Sequence, residues 1–155
     1  MFAAFTTTHK IPSPVQTCSA NPGVFTAFGA GCKGTAGVPE LHLSGSARIG
    51  IGTIGISVTN APSTSTLLHV FGLQRYEPAI DLGFAGAPGC RLYQTTDLVF
   101  AGATSSTGTY LLSAKVPNDR TILCTRIYTQ VFPADKNANN WGRTATNSGR
   151  ILPGL

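Results

Sequence analysis

Apolar residues in this chain come in short runs separated by turn-forming clusters, and where a run alternates with polar residues it does so with a period of two. Residues 53–59 show this best, with Ile54, Ile56 and Val58 on one side and Gly55, Ser57 and Thr59 on the other. Further candidate strands are 38–43, 66–73, 91–100 with an internal break, 109–116, 122–132 and 143–152. The clusters between them include Asn60-Ala61-Pro62-Ser63, Gly86-Ala87-Pro88-Gly89, Ser105-Ser106-Thr107-Gly108 and Pro133-Ala134-Asp135-Lys136, all rich in residues that tolerate or preset turn dihedrals. Helical periodicity and internal repeats are both missing from the pattern. The predicted class is all-β, an antiparallel β-sandwich of about 7–8 strands.

The longest run, 122–132, reads as a central strand. One face carries Leu123, Thr125, Ile127, Thr129 and Val131, and the other Ile122, Cys124, Arg126, Tyr128, Gln130 and Phe132. Neither face is plainly polar, whereas a sandwich strand normally turns one face to water, so a cover over the second face is expected. Cys124 marks a point where such a cover could be fastened.

Residues 1–31 differ from the rest of the chain. Two apolar patches, around Phe2 to Phe5 and Val24 to Phe28, are separated by Ile11-Pro12-Ser13-Pro14 and Asn21-Pro22-Gly23, which favour extended or turn geometry. The predicted organisation is an extended N-terminal arm, 1–31, on a sandwich domain, 32–155. Fully stretched, such an arm reaches about 100 Å, against a radius of gyration of about 14 Å for the remaining body.

Composition sharpens the surface. Charged residues make up only 11% of the 155 positions while hydrophobic ones make up 42%, enough for one real core with a hydroxyl-rich exterior. The net charge of +5 is spread over singly placed lysines and arginines with no basic run and no interleaved aromatics, so no nucleic-acid partner is expected. No apolar stretch approaches the ~20 residues of a membrane-spanning helix, so no membrane insertion is expected. The four cysteines, Cys18, Cys32, Cys90 and Cys124, have no CxxC spacing; they read as two disulfides, which places the protein outside the cell or on its surface. Residues 1–11 lack the basic start and long apolar run of a signal peptide.

Gly31-Cys32-Lys33-Gly34-Thr35-Ala36-Gly37 with Pro39, then Ser57-Val58-Thr59-Asn60-Ala61-Pro62, Asp81-Leu82-Gly83, Gly86-Ala87-Pro88-Gly89-Cys90, Val116-Pro117-Asn118-Asp119, Tyr128-Thr129-Gln130 and Ala138-Asn139 occur in this order along the chain. This series resembles a β-sandwich module of secreted and surface proteins of environmental, planctomycete-like bacteria, over roughly residues 31–153. The resemblance implies a sandwich fold, export, and pairing of Cys32 with Cys90; it carries no activity. Cys18 and Cys124 are additions to that module and are left for each other, within one chain or between two.

Motifs that carry chemistry are few. Gly50-Ile51-Gly52-Thr53-Ile54-Gly55 matches GxGxxG, but a strand and a turn come after it rather than the helix N-terminus that would hold a pyrophosphate. His9, His42 and His69 are far apart and lack a nucleophile motif, with His42 and His69 read as surface or lightly buried imidazoles. Asp135 to Asn140 and Asn118-Asp119 hold oxygen ligands without calcium-loop spacing and read as turns. The chain is therefore expected not to be an enzyme and to need no cofactor or metal.

The arm carries the functional expectation. Phe2, Phe5, Ile11, Val24, Phe25 and Phe28 would be unfavourable left in water, and Tyr128 and Phe132 lie on the strand that lacks a cover. The expected role is that of a structural subunit whose arm adds as a β-strand to a neighbouring copy, giving a head-to-tail homopolymer, an extracellular filament; donor-strand pilins are an analogy for this mode. The alternative is a secreted carbohydrate- or cell-wall-binding module that stacks glycans on Trp141, Tyr76, Tyr93 or Tyr110.

Overall fold

The computed structural model describes residues 22–155. Phe2, Phe5, Ile11 and Cys18 lie outside them. Among the described residues ten strands occur: β1 (Val24–Phe28), β2 (Glu40–Gly45), β3 (Thr53–Thr59), β4 (Thr66–Gly72), β5 (Arg75–Asp81), β6 (Arg91–Gln94), β7 (Leu98–Ala103), β8 (Tyr110–Lys115), β9 (Ile127–Pro133) and β10 (Ser148–Leu152). One sheet has the order β1-β10-β9-β4-β7, a second β2-β3-β8, and β5 and β6 form a separate ribbon. All pairings between these strands are antiparallel. Fold class is all-β and sandwich-like, as the two-residue period predicts.

The alternating residues of β3 show why the sheets stack. Ile56 lies opposite Leu43 of β2 and Leu112 of β8, and Val58 opposite Leu41, so one face of the small sheet is a continuous apolar patch. It packs on Leu67, Val131 and Ile151 of the large sheet, with Phe25, Phe71 and Ile127 at the margins. On the opposite face the small sheet turns Ser57, Ser44 and Thr59 outward, the hydroxyl coat expected from the composition.

β9 is the central strand between β10 and β4, and it is buried on both faces. Val131 belongs to the core between the sheets, whereas Phe132 joins a second cluster of Val70, Leu82, Ala87, Ala145 and the Cys32–Cys90 bridge, with Trp141 alongside. The cover over the second face thus comes from the chain's own 79–92 and 134–147 segments. It is fastened by Cys32–Cys90, whose Cα atoms lie 4.9 Å apart.

Several strand boundaries differ from those the sequence predicts. Residues 122–132 are not one strand: a 3-10 turn occupies Arg120–Ile122, Cys124 is in the left-handed region at φ 64°, and β9 begins only at Ile127. Asp119 drives the turn, its Oδ1 accepting from the Thr121 amide at 2.8 Å and the Thr121 hydroxyl at 2.7 Å. The break expected within 91–100 is present and separates β6 from β7, and the two strands belong to different sheets. Residues 24–28, assigned by sequence to the arm, are β1 of the large sheet, in register with β10 from Val24↔Leu152 to Phe28↔Ser148. The sandwich therefore starts at β1 rather than at residue 32.

Candidate functional site

The two sheets close along one side and gape along the other. On the closed side the Asn147 side chain bridges them: its Oδ1 accepts from the Leu41 amide at 2.7 Å and its Nδ2 donates to the Leu41 carbonyl at 3.2 Å, so a β10-side residue pairs with β2 as backbone would. On the open side lie the two edge strands β7 and β8. Between them runs an apolar cleft of about 420 Å³ lined by Phe71, Leu98 and Phe100 from the large sheet and Tyr110, Leu112 and Ala114 from the small one. It continues past Phe71 and Leu98 into a second apolar recess of about 310 Å³ that ends at Ile127, Gly72 and Asp97.

β7 is an unusual edge. Leu98-Val99-Phe100-Ala101-Gly102-Ala103 contains no charge and no proline, the devices that normally blunt an unpaired strand. Leu98 is 51% exposed and Phe100 47% exposed. The Thr104 amide donates to the Ser65 carbonyl at 2.8 Å, which sets the ladder phase: hydrogen-bonded pairs alternate, so Val99, Ala101 and Ala103 turn their amides and carbonyls away from β4. Among the described residues no strand pairs with this side of β7, and the edge presents its backbone ladder above an apolar trough.

The back wall of the trough is rigid. His69, fully buried on β4, stacks on Phe71 at 4.5 Å between centroids and meets Tyr110 edge-on at 5.6 Å. Its Nε2 lies 2.7 Å from the Thr129 hydroxyl and its Nδ1 3.2 Å from the Tyr110 hydroxyl. Burial lowers the His69 pKa to about 4, so the ring is neutral at physiological pH, and burial raises that of Tyr110. Phe100 packs edge-on against Phe71 at 6.0 Å. At the open end, the Asp97 carboxylate accepts from the Thr95 hydroxyl at 2.6 Å and the Leu73 amide at 2.7 Å, interactions that hold its pKa below the usual carboxylate value and pin the β4–β5 turn.

Of the residues expected from sequence to form an assembly surface, four of the described ones pack within this chain. Phe25 packs in the core between the sheets, and Phe28 meets Tyr93 and Tyr128 edge-on at 5.8 and 5.9 Å. Tyr128 and Phe132 are only 6% and 4% exposed, enclosed by this chain's own residues, so a second chain has no access to them. Cys124 is disulfide-bonded; the Cys18 end of the expected bridge lies outside the described residues.

The other candidates resolve as parts of the scaffold. Trp141 packs edge-on against Phe132 at 5.7 Å, Tyr93 is buried with its hydroxyl bonded to Ala30, and Tyr110 faces the cleft, so three of the four proposed glycan platforms are engaged in packing. Gly50 to Gly55 lead into β3 without a helix. Asp135 receives the Thr35 amide at 2.7 Å, and Asn139 caps its turn through the Gly142 amide at 2.9 Å. Among the described residues no three His, Cys, Asp or Glu side chains gather in a metal-binding group, and no helix is long and apolar enough to cross a membrane.

The cleft escaped sequence reading although its signal is present. The uncharged run at 98–103 lacks the alternation of a half-exposed strand, which marks a strand with apolar surface on both faces. No family model matches the chain, and neither a curated protein nor a solved structure does.

Proposed function

We propose that the protein is a structural subunit of an extracellular filament, in which a strand from residues 1–21 of one copy docks in the β7–β8 cleft of the next. The observation that carries this reading is the uncharged β7 edge, without a partner strand among the described residues, standing over an apolar cleft. β-Strand addition uses both properties at once: the edge ladder supplies backbone pairing and the trough takes alternate side chains. The occupant is named by what remains of the chain. Phe2, Phe5 and Ile11 precede β1, and Val24 enters the large sheet at the same end as Leu98, because strands alternate in direction across the order β1-β10-β9-β4-β7.

Reach is sufficient in either direction. Twenty-one residues extend to about 70 Å, while β1 and β7 are four strand spacings, about 19 Å, apart within one sheet. Exchange between copies gives a heterologous contact that grows into a fibre, whereas return to the same chain gives a closed monomer. The Cys32–Cys90 disulfide is compatible with an extracellular location.

Electron microscopy and sedimentation of the full chain test the proposal against two variants. Leu98→Lys places an ammonium at an exposed cleft position, and Ala101→Pro removes an outward amide from the edge, a substitution that edge strands tolerate. Filaments are expected from the intact chain and monomers of unchanged circular dichroism from both variants. A monomeric intact chain, or variants that polymerise as readily as it does, would overturn the reading.

A further inference from the structure

Strand β7 offers an added strand two different faces. Leu98 and Phe100 pair with Phe71 and His69 of β4 and share their face, towards the cleft, whereas Val99 pairs with Val70, which belongs to the cover cluster. Val99 is nevertheless 47% exposed, so an occupant of this edge meets apolar surface on both sides. The ladder couples each face to a backbone direction. In an antiparallel partner, the residues opposite Val99, Ala101 and Ala103 point their amides at β7 and their side chains to the Val99 face. Those opposite Leu98, Phe100 and Gly102 point their side chains into the cleft and their amides away from β7. A proline, which has no amide hydrogen, therefore fits such a strand at cleft-facing positions and at no others.

Residues 1–21 contain a segment with that pattern. Ile11-Pro12-Ser13-Pro14-Val15-Gln16-Thr17 is uncharged, and its prolines are two residues apart, each flanked by residues that keep their amides. With Ser13 opposite Ala101, Ile11 meets Ala103 and Val15 meets Val99, while Pro12 stands opposite Gly102 and Pro14 opposite Phe100. The lengths agree: seven extended residues span about 23 Å, and the six of β7 about 20 Å. Thr17 then lies opposite Asp97, and Cys18 follows at the end where the recess reaches Ile127, three residues after the disulfide-bonded Cys124. Cys32 and Cys90 hold each other, which leaves Cys18 for Cys124. The patch at Phe2 to Phe5 is as apolar but keeps its amides, so docking it would create another open edge; Pro12 and Pro14 close the edge they make. The prolines also restrict Ile11 and Ser13 to extended backbone before docking, which lowers the cost of ordering.

We infer, on the footing that the arm docks at this cleft, that the docked strand is residues 11–17 of the neighbouring copy, antiparallel to β7, with Pro12 and Pro14 in the cleft and Ile11, Ser13 and Val15 on the ladder. Hydrogen exchange of the full chain, read by mass spectrometry at Val99, Ala101 and Ala103, is the test, with Phe100 and Gly102, whose amides face β4, as the folded control. Slow exchange at the three outward amides is expected in the parent and in Ser13→Ala, which keeps the ladder amide. In Ser13→Pro, which removes it, their exchange should be at least about a hundredfold faster while the control is unchanged. Ala3→Pro, in the other apolar patch, should leave the outward amides protected. Protection that survives Ser13→Pro, or that is lost in Ala3→Pro, would overturn the assignment. Sedimentation of the same samples separates the segment from the assembly. A monomeric parent whose outward amides are protected, and lose that protection in Ser13→Pro, refutes exchange between copies but keeps residues 11–17 in the cleft. A parent unprotected at these amides removes docking and segment together.

Discussion

His69 shows what a single residue's environment does that its type does not announce. By sequence it sits in an apolar strand and reads as a surface or lightly buried imidazole; the structure buries it completely, between Phe71 and Tyr110, with both ring nitrogens in hydrogen-bond range of hydroxyls. Those hydroxyls come from β8 and β9, far away in the chain, so no local pattern could have announced them. The consequence is a pH dependence. The folded-state pKa is about 4, below the ordinary 6.5, so between these values the unfolded chain takes up a proton that the folded one refuses. Stability contributed by neutral His69 is fully present above pH 6.5, falls as pH drops towards 4, and levels off below that, a loss on the order of 3 kcal/mol. Urea unfolding at pH 7.5 and pH 4.5 should show that loss in the parent, and His69→Phe, though less stable at pH 7.5, should show a flatter profile. Identical pH slopes for the two proteins would contradict a neutral buried ring.

At the scale of elements, the sequence pattern placed most strands but misjudged where strands stop, because stops are set by side chains that bond the backbone. Residues 122–126 are as apolar and β-branched as those of β9. They leave the sheet because Asp119 captures the amide and hydroxyl of Thr121, and because Cys124 takes a positive φ. In the same way, Asn147 spends its amide on Leu41, and strand β10 begins only after it. The edge status of β7 was illegible for a different reason: position in a sheet comes from the order β1-β10-β9-β4-β7, which is a property of long-range pairing. Amide hydrogen exchange checks the boundary. Amides of 128–132, in the centre of the large sheet, should exchange only on global unfolding, and those of 120–125 several orders of magnitude faster. Equal protection across 122–132 would restore the single long strand.

For the whole molecule, layering matters more than strand count. The expected division into arm and sandwich moves, since β1 belongs to the large sheet, and the extra cover seen as missing from 122–132 turns out to be a third layer made by the chain itself. Sequence reading detected the need for that layer from the two apolar faces of one strand. It could not tell which segment supplied it, because 79–90 and 134–142 are turn-rich and read locally as loops. The resemblance to a secreted module did imply the Cys32–Cys90 bond that ties the layer down, and the structure has it.

Two cores of separate composition imply separable stability. The cluster between the sheets contains no cysteine, whereas the cover cluster is built around Cys32 and Cys90, with the Ala145 amide donating to Cys32 Sγ at 3.1 Å. The bond joins residues separated by 58 positions, and closing a loop of that size is worth on the order of 4 kcal/mol in the chain-entropy treatment. In a Cys32→Ala/Cys90→Ala variant that stabilisation is lost first from the cover, while Leu41, Val58, Leu67 and Val131 still hold the sheets together. Trp141, packed on Phe132 inside the cover cluster, reports on that layer by fluorescence, and far-ultraviolet circular dichroism reports on the sheets. The two signals should coincide during urea unfolding of the parent and separate in the variant, with Trp141 losing its environment at the lower concentration. Coincident transitions in the variant, shifted together, would mean instead that the cover and the sandwich unfold as one cooperative unit, and that Gln130, whose amide nitrogen donates to both Arg91 and Thr146 carbonyls at 2.8 Å, couples them more strongly than the disulfide does.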